Sequence, residues 1–286
     1  MDSQGWQKVY ETVLEADKEV PPRGRRKTYG DAQIVIMYLW AVAHDRPQGW
    51  ACCPDNYPEA VRPAKLPVPG HFSRRIRSLR CQHLLRDVER RLAFSERSTP
   101  VSFIDARPLV VGPCSKDRHA KAGRVYGGFA RGYKVHAIVT EDGRMGWWCV
   151  APLNVSEKSV GRVLVRRAPL GAWLLGDGNY DAGTLYEEAA RRECQLLTPL
   201  PENAGAGHRR PSPARQRAIE LWRTGVAKPI HRQRGAVERI FGNQSSFGGG
   251  LAPLPAWVRT LPRVRNWVRG KLIIYHARLL LRRRVA

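Results

Sequence analysis

The spacing of apolar residues changes near position 100, and this change constrains the fold more than any other feature of the sequence. Before it, Phe72, Ile76 and Leu79 recur three or four positions apart, which is typical of one face of a helix. After it, residues 101–106 form a mostly apolar run and residues 132–139 alternate, as buried and half-buried strands do. The chain therefore joins a helical first part to a second part that contains a sheet.

The second part alternates strands and helices in an order that indicates a mixed sheet. The Asp-Gly pair within residues 141–144 supplies the positive φ of a hairpin turn, and residues 145–150 are the predicted return strand. Helices and strands then alternate over residues 156–167, 172–177, 181–192 and 195–198. Three antiparallel strands followed by βα units is the order of a ribonuclease-H-like fold. We therefore predict an α/β fold in which a ribonuclease-H-like mixed sheet is flanked by helices.

The charge of the chain indicates its partner. It carries 49 lysine and arginine residues against 25 aspartate and glutamate residues, a formal net charge of +24. Chains this basic usually neutralise a polyanion, most often nucleic acid. No apolar run reaches the ~18 residues of a membrane span, and the N-terminus lacks a signal-peptide pattern. We therefore expect a cytoplasmic protein that binds DNA and has no membrane partner.

A basic helix in the first part is a candidate DNA contact. An apolar helix over residues 31–43 is followed by the helix of Phe72, whose other face carries Arg74, Arg75 and Arg77. Short helices with a basic late member are typical of a helix-turn-helix DNA reader. A basic, solvated helix with no special role is the alternative.

These patterns divide the chain into four predicted segments. Residues 1–28 are a basic arm or linker, and residues 29–97 are a small helical, helix-turn-helix-like DNA-binding domain. Residues 98–245 are the ribonuclease-H-like domain. Residues 246–286 are a basic helical tail without any acidic residue, which we expect to follow the DNA backbone.

Three acidic residues stand apart from the others in a chain that is short of acids. Asp105 lies in an apolar predicted strand, Asp177 ends another, and Glu238 is the only acid after position 220. An ionised carboxylate in an apolar strand is costly unless a cation or hydrogen bonds compensate it. Three carboxylates without histidine or cysteine suit Mg²⁺ or Mn²⁺. The structural alternatives are turn residues for the two aspartates and a surface helical acid for Glu238.

The motifs around these acids resemble those of DDE transposases of bacterial insertion sequences. Residues 103–106 (Phe-Ile-Asp-Ala) match the strand of the first aspartate, and residues 175–181 (Leu-Gly-Asp-Gly-Asn-Tyr-Asp) resemble the motif of the second. Residues 234–241, which begin Arg-Gly-Ala-Val-Glu, resemble the Arg-x-x-x-Glu signature of this group. The resemblance covers roughly residues 100–245.

The resemblance implies an enzyme that binds transposon-end DNA and catalyses metal-dependent DNA cleavage and strand transfer. Asp105, Asp177 and Glu238 would be the catalytic residues and would also hold two Mg²⁺ or Mn²⁺ ions. It further implies a homodimer on double-stranded DNA, associated with the bacterial nucleoid. The residues expected to contact DNA are Arg234, His231, Lys134, Arg74, Arg75 and Arg77. A catalytically decayed or domesticated transposase that only binds DNA is the alternative.

Three of these expected DNA contacts rest on their position in the sequence. His231 stands where the family's extended signature has a tyrosine. Arg234 lies four residues before Glu238, and the Arg-before-Glu order is the weaker helical ion pair, which favours a phosphate contact for this arginine. Lys134 could face DNA from the second predicted strand or lie on a solvated face.

Overall fold

The chain forms two compact units. The computed structural model describes residues 3–19, 28–94, 99–168, 171–201, 211–246, 250–251 and 253–285. The first unit joins Met1–Phe94 to Ser245–Ala286, and the second is Ser95–Gln244. The sequence predicted separate segments over residues 29–97 and 246–286, whereas residues 29–94 and 246–286 lie in one unit.

Helices make up the first unit, and the second contains a sheet with helices around it. The helices are α1 (Ser3–Lys18), α2 (Asp31–Ala43), α3 (Pro69–Ile76), α4 (Leu79–Ala93), α5 (Glu157–Arg167), α6 (Gly183–Ala190), α7 (Pro213–Arg223), α8 (Ala227–Arg232), α9 (Gly235–Ser246) and α10 (Leu261–Val285). The strands are β1 (Val101–Val110), β2 (Lys121–Val125), β3 (Gly128–Thr140), β4 (Trp147–Pro152), β5 (Trp173–Leu175) and β6 (Gln195–Leu197).

The first helix corrects the prediction of an arm or linker over residues 1–28. Trp6, Val9, Val13 and Ala16 recur at helical spacing and are buried. The ring of Trp6 meets that of Trp40 of α2 edge-on, with 4.8 Å between the ring centroids. Residues 3–18 are therefore part of the helical core, and residues 20–27 of the predicted arm lie outside the described residues.

The last helix is a core element of the first unit and not only a basic tail. α10 packs on α1, α2 and α4. Its buried residues include Trp267, Leu272 and Ile273. A Cβ atom at Gly270 would come within 3.0–3.1 Å of the methyl groups of Val42, so glycine allows α10 to approach α2 closely. Within the described ranges, no helix is both long enough and apolar enough to cross a membrane.

Two basic residues of α10 are neutralised inside this unit. Arg269 donates to Glu89 at 2.9 Å, and Lys271 donates to Asp45 at 2.5 Å. Lys271 also lies 4.7 Å from the centroid of the Trp267 ring. Arg269 ties α10 to α4, and Lys271 ties α10 to the loop after α2, which differs from the expectation that the whole segment follows the DNA backbone.

The second unit is a mixed sheet flanked by helices, in agreement with the predicted ribonuclease-H-like fold. The strands run in the order β2-β3-β1-β5-β6, and β4 pairs with β3. β3 is antiparallel to β1, β2 and β4, whereas β5 is parallel to β1 and to β6. Gly143 has the positive φ (84°) that the predicted Asp-Gly turn requires.

We expect Leu272→Ala to lower the free energy of unfolding by about 2–5 kcal/mol, because it leaves a cavity where a fully buried side chain packs. Arg265→Ala changes an exposed position of the same helix and should stay within about 0.5 kcal/mol of the wild type. Urea unfolding followed by circular dichroism measures both. Equal stability of the two variants would contradict a core role for α10.

Candidate active site

Two of the three candidate carboxylates lie at equivalent positions in the register of two neighbouring strands. β1 and β5 pair in parallel, with Phe103 opposite Leu175 as the last pair of the ladder. Asp105 and Asp177 each lie two residues beyond that pair. Because side chains alternate along a strand, both carboxylates continue the same face. The adjacency of these two strands therefore brings the two aspartates together.

Burial dominates the electrostatics of Asp105. It raises the pKa of this carboxyl to about 6, and the negative charges of Asp177 and Glu157 add to the rise. The backbone N–H of Ala106 donates to Asp105 Oδ1 at 2.9 Å and, with the charge of Arg234, opposes the shift. The unaided site therefore favours the neutral carboxyl only below about pH 6, and a bound cation would extend the range of the charged form to lower pH.

Asp177 is held by the residues that follow it. The backbone N–H of Asn179 donates to its Oδ1 at 2.9 Å, and the side-chain amide of Asn179 donates to its Oδ2 at 3.2 Å. Asp177 thereby caps the short 3-10 helix Gly178–Tyr180. The sequence did not assign Asn179 a role, although it lies inside the motif that identified Asp177.

Tyr180 packs in the protein interior beside the two aspartates. Its ring lies against Gly161 and Gly176, where an added Cβ atom would come within 3.1 and 3.4 Å of ring atoms, respectively. Its hydroxyl is buried without a hydrogen-bond partner in the structure. Burial raises the pKa of Tyr180 well above its usual value, and the charges of Glu157, Asp105 and Asp177 add to this. Tyr180 therefore stays neutral beside the carboxylates.

The side chain of Arg234 links Glu238 to Asp105. Arg234 Nη2 is 3.6 Å from Asp105 Oδ1, and Arg234 Nη1 is 3.8 Å from Glu238 Oε1. The Glu238 side chain is 74% exposed. In the described part of the chain, no three histidine, cysteine, aspartate or glutamate side chains come together as a possible metal site. In the structure, Asp105 and Asp177 are therefore neighbours, and the side chain of Arg234 lies between Asp105 and Glu238.

A break between α8 and α9 places these groups. α8 ends at Arg232 and α9 begins at Gly235, so Arg234 lies in the connection. A ring nitrogen of His231 is 3.0 Å from the carbonyl oxygen of Gly176, directly before Asp177. Arg107 of β1 donates to the carbonyl of Phe241 at 2.8 Å. His231 therefore contacts the end of β5, and α9 is tied to the strand that carries Asp105.

Lys134 is bound to an acid that sequence reasoning left without a role. Lys134 Nζ donates to Glu157 Oε1, and both side chains are largely buried. Glu157 is the only acid between Asp142 and Asp177, so the isolation that singled out the other carboxylates would also have selected it. Its charge acts on Asp105 and on Tyr180. Glu157 is thus a fourth carboxylate of this region.

The three arginines of the predicted DNA-reading helix differ in their surroundings. Arg75 donates to Asp31 at 2.5 Å and thereby links α3 to α2. Arg74 and Arg77 are exposed, and Arg77 Nε donates to the carbonyl of Ser73 at 2.8 Å. Arg74 and Arg77 are accessible to a partner, whereas Arg75 holds two helices together.

We expect Asp105→Asn to stabilise the metal-free protein in a pH-dependent way. The folded-state pKa of about 6 lies above the ordinary value of 3.8, so the folded protein binds more protons between these values and loses stability as the pH rises. The substitution removes a cost that reaches roughly 3 kcal/mol above pH 6. Urea unfolding in metal-free buffers should show this gain at pH 8 and almost none at pH 4. A gain independent of pH would contradict the burial of an ionisable Asp105.

Comparison with known proteins places this geometry in a family. No curated protein matches the chain. The family described as "Transposase DDE domain" matches residues 96–275, which is well over half of the chain. The matched segment contains Asp105, Asp177, Arg234 and Glu238, the residues whose motifs carried the resemblance. The chain belongs to the DDE transposase family.

Proposed function

We propose that this transposase binds the ends of an insertion sequence and catalyses metal-dependent DNA cleavage and strand transfer with Asp105, Asp177 and Glu238. The observation that carries the proposal is the pair of aspartates that lie two residues beyond the last pair of the parallel β1–β5 ladder. The helix that carries Glu238 is tied to the same strand as Asp105 through Arg107.

The donor set suits a hard divalent cation. Asp105, Asp177 and Glu238 offer carboxylate oxygens, which Mg²⁺ and Mn²⁺ prefer to nitrogen or sulfur ligands. The raised pKa of Asp105 reflects a buried charge that lacks full compensation, and a cation would supply it. Two ions held by these carboxylates would supply activation of a water or 3′-hydroxyl and stabilisation of the leaving oxygen in an in-line displacement.

Arg234 is the residue that must move for Glu238 to join the aspartates. Its distances to Asp105 and Glu238, 3.6 and 3.8 Å, exceed those of good hydrogen bonds, so it is held loosely between two charges. Once cations neutralise the acids, its planar guanidinium is free to bind a DNA phosphate through two parallel hydrogen bonds. This reconciles the ion pair in the structure with the phosphate contact expected from the sequence.

Each unit offers further basic residues as proposed DNA contacts. Arg74 and Arg77 are exposed on α3 and would contact the backbone of double-stranded DNA, with Arg75 positioning their helix through Asp31. His231 and Lys134 would act close to the carboxylates, since they contact Gly176 and Glu157. A homodimer that holds two DNA ends is part of the same proposal.

A transposase that binds DNA without cutting it is the second candidate. The exposed Glu238 and the absence of a three-residue metal site among the described residues favour it. The two functions differ in one result, because both predict DNA binding and only the first predicts Mg²⁺-dependent cleavage.

We expect the protein to nick or excise DNA from a plasmid that carries its coding region and flanking DNA, in the presence of Mg²⁺ and not of EDTA. Asp105→Ala, Asp177→Ala and Glu238→Ala should each lower the cleavage rate by about a hundredfold or more, because each removes a carboxylate that would hold the divalent ions. Glu220→Gln, an exposed acid of α7, is the matched control and should cleave at the wild-type rate. Cleavage that survives Asp105→Ala would refute the assignment, and binding without cleavage would favour the second candidate.

We expect Arg234→Gln to weaken DNA binding in Mg²⁺ and to reduce the slope of log affinity against log salt by about one. Arg234→Lys should keep the slope, because the charge remains, but bind less tightly, because the bidentate fork is lost. Fluorescence anisotropy with a labelled duplex measures both quantities. An unchanged slope for Arg234→Gln would show that this arginine serves only as an ion-pair partner.

A further inference from the structure

Two large aromatic side chains stand in solvent at the tip of the β2–β3 hairpin. Val125 pairs with Gly128, which leaves Tyr126 and Gly127 as a two-residue turn. Tyr126 is fully exposed, and Phe129 is 83% exposed. Adjacent exposed aromatics on a globular protein mark an interaction site, because water contact with two apolar rings is costly without a partner. The sequence analysis predicted neither β2 nor this hairpin.

The hairpin is braced at its base. Arg131 donates to the carbonyls of Ala120, Ser115 and Asp117 at 3.1, 3.2 and 2.6 Å. The hydroxyl of Tyr133 donates to the carboxylate of Asp117 at 2.7 Å. The tip is therefore presented on an anchored ribbon, so its rings can be used with little loss of conformational entropy on binding.

The turn and one strand need glycine at defined places. Gly127 has a φ of +82°, in the left-handed region that glycine adopts readily. A Cβ atom at Gly123 would lie 2.5 Å from the carbonyl oxygen of Leu153, so this strand packs directly on the segment that leads to α5. Glycine at position 127 allows the turn that exposes Tyr126. Glycine at position 123 allows the hairpin to pack against Leu153.

The charge around the tip points to nucleic acid. Between Asp117 and Glu141 the chain has no acidic residue. This stretch exposes Arg118, Lys121 and Arg124, whereas Arg131 braces the hairpin and Lys134 pairs with Glu157. Aromatic rings that accept base faces, next to cations that follow the phosphates, are the combination by which proteins hold single-stranded nucleic acid. A DNA duplex offers its phosphates to such a surface but keeps its base faces stacked inside.

The tip lines a cleft that also contains residues that act on the two aspartates. The cleft has a volume of about 740 Å³, and its lining includes Tyr126, Phe129, Lys134, Glu157 and Asn179. Asn179 holds both carboxylate oxygens of Asp177, and the charge of Glu157 acts on Asp105. A DNA strand in this cleft would pass from the aromatic tip to the neighbourhood of the two aspartates.

We propose that Tyr126 and Phe129 form a stacking platform for unpaired bases of a DNA strand that lies in this cleft. This proposal rests on the proposed function, because that function places the reacting DNA strand in the cleft. Stacking itself requires no metal ion, because it depends on contact between ring faces. The platform therefore distinguishes a DNA strand with unpaired bases from an intact duplex, which the basic residues alone would bind by charge.

The test uses the full-length protein in EDTA, with fluorescently labelled (dT)20 and a labelled 20-base-pair duplex as probes. We expect Tyr126→Ala combined with Phe129→Ala to weaken binding of the single strand about tenfold or more and to change duplex binding less than about twofold. Replacing both residues with tryptophan should restore the single-strand affinity. Tyr10→Ala removes a partly exposed aromatic from α1 and should leave both affinities unchanged.

Three results for the double variant would overturn the platform. The first is an unchanged affinity for the single strand, and the second is an equal loss of affinity for duplex and single strand. The third is a sedimentation coefficient that differs from the wild-type value in the absence of DNA, which would make the tip a contact between copies of the chain. Failure of the proposed function has a separate signature. A wild-type protein that never cleaves with Mg²⁺, but whose single-strand binding depends on Tyr126 and Phe129, would lose the catalytic assignment and keep the platform.

Discussion

The parallel pairing of β1 with β5 is the constraint on which the chemistry of this protein depends. It sets Phe103 opposite Leu175, and two residues later it brings two carboxylates together from parts of the chain far apart in sequence. Residues around the ladder fix the surroundings of the two carboxylates. Asn179 holds Asp177, Tyr180 fills the space behind it, and the connection between α8 and α9 places Arg234 against Asp105.

The electrostatic balance of the site connects the metal-free arrangement to the proposed reaction. Burial makes the charge of Asp105 expensive, and a loosely placed arginine offsets only part of that cost, since the pKa remains raised to about 6. A group of this kind gains most from a cation that also binds Asp177. Movement of Arg234 away from Asp105 would then release Glu238 and supply a phosphate contact at the same time, which couples metal binding to DNA binding.

Local sequence patterns predicted the elements whose signal lies in their own residues. The apolar run that contains Asp105 and the Asp-Gly turn at Gly143 are of this kind. β2 was missed because residues 121–125 are polar and glycine-containing, and this strand is specified by its pairing with β3. The burial of α10 was missed because its arginine and lysine residues conceal the apolar positions that pack on α1, α2 and α4.

The same limit applies to the candidate site. Asp105 and Asp177 were identifiable because each is an isolated acid in an apolar setting, but the bridge from Arg234 to Asp105 depends on a helix break that periodicity does not reveal. Anomalous diffraction from crystals grown with Mn²⁺ and a DNA duplex tests the central claim most directly. We predict an Mn²⁺ ion bonded to oxygens of both Asp105 and Asp177, with Arg234 displaced from Asp105. Crystals with Mn²⁺ bound elsewhere and Arg234 still between Asp105 and Glu238 would contradict it.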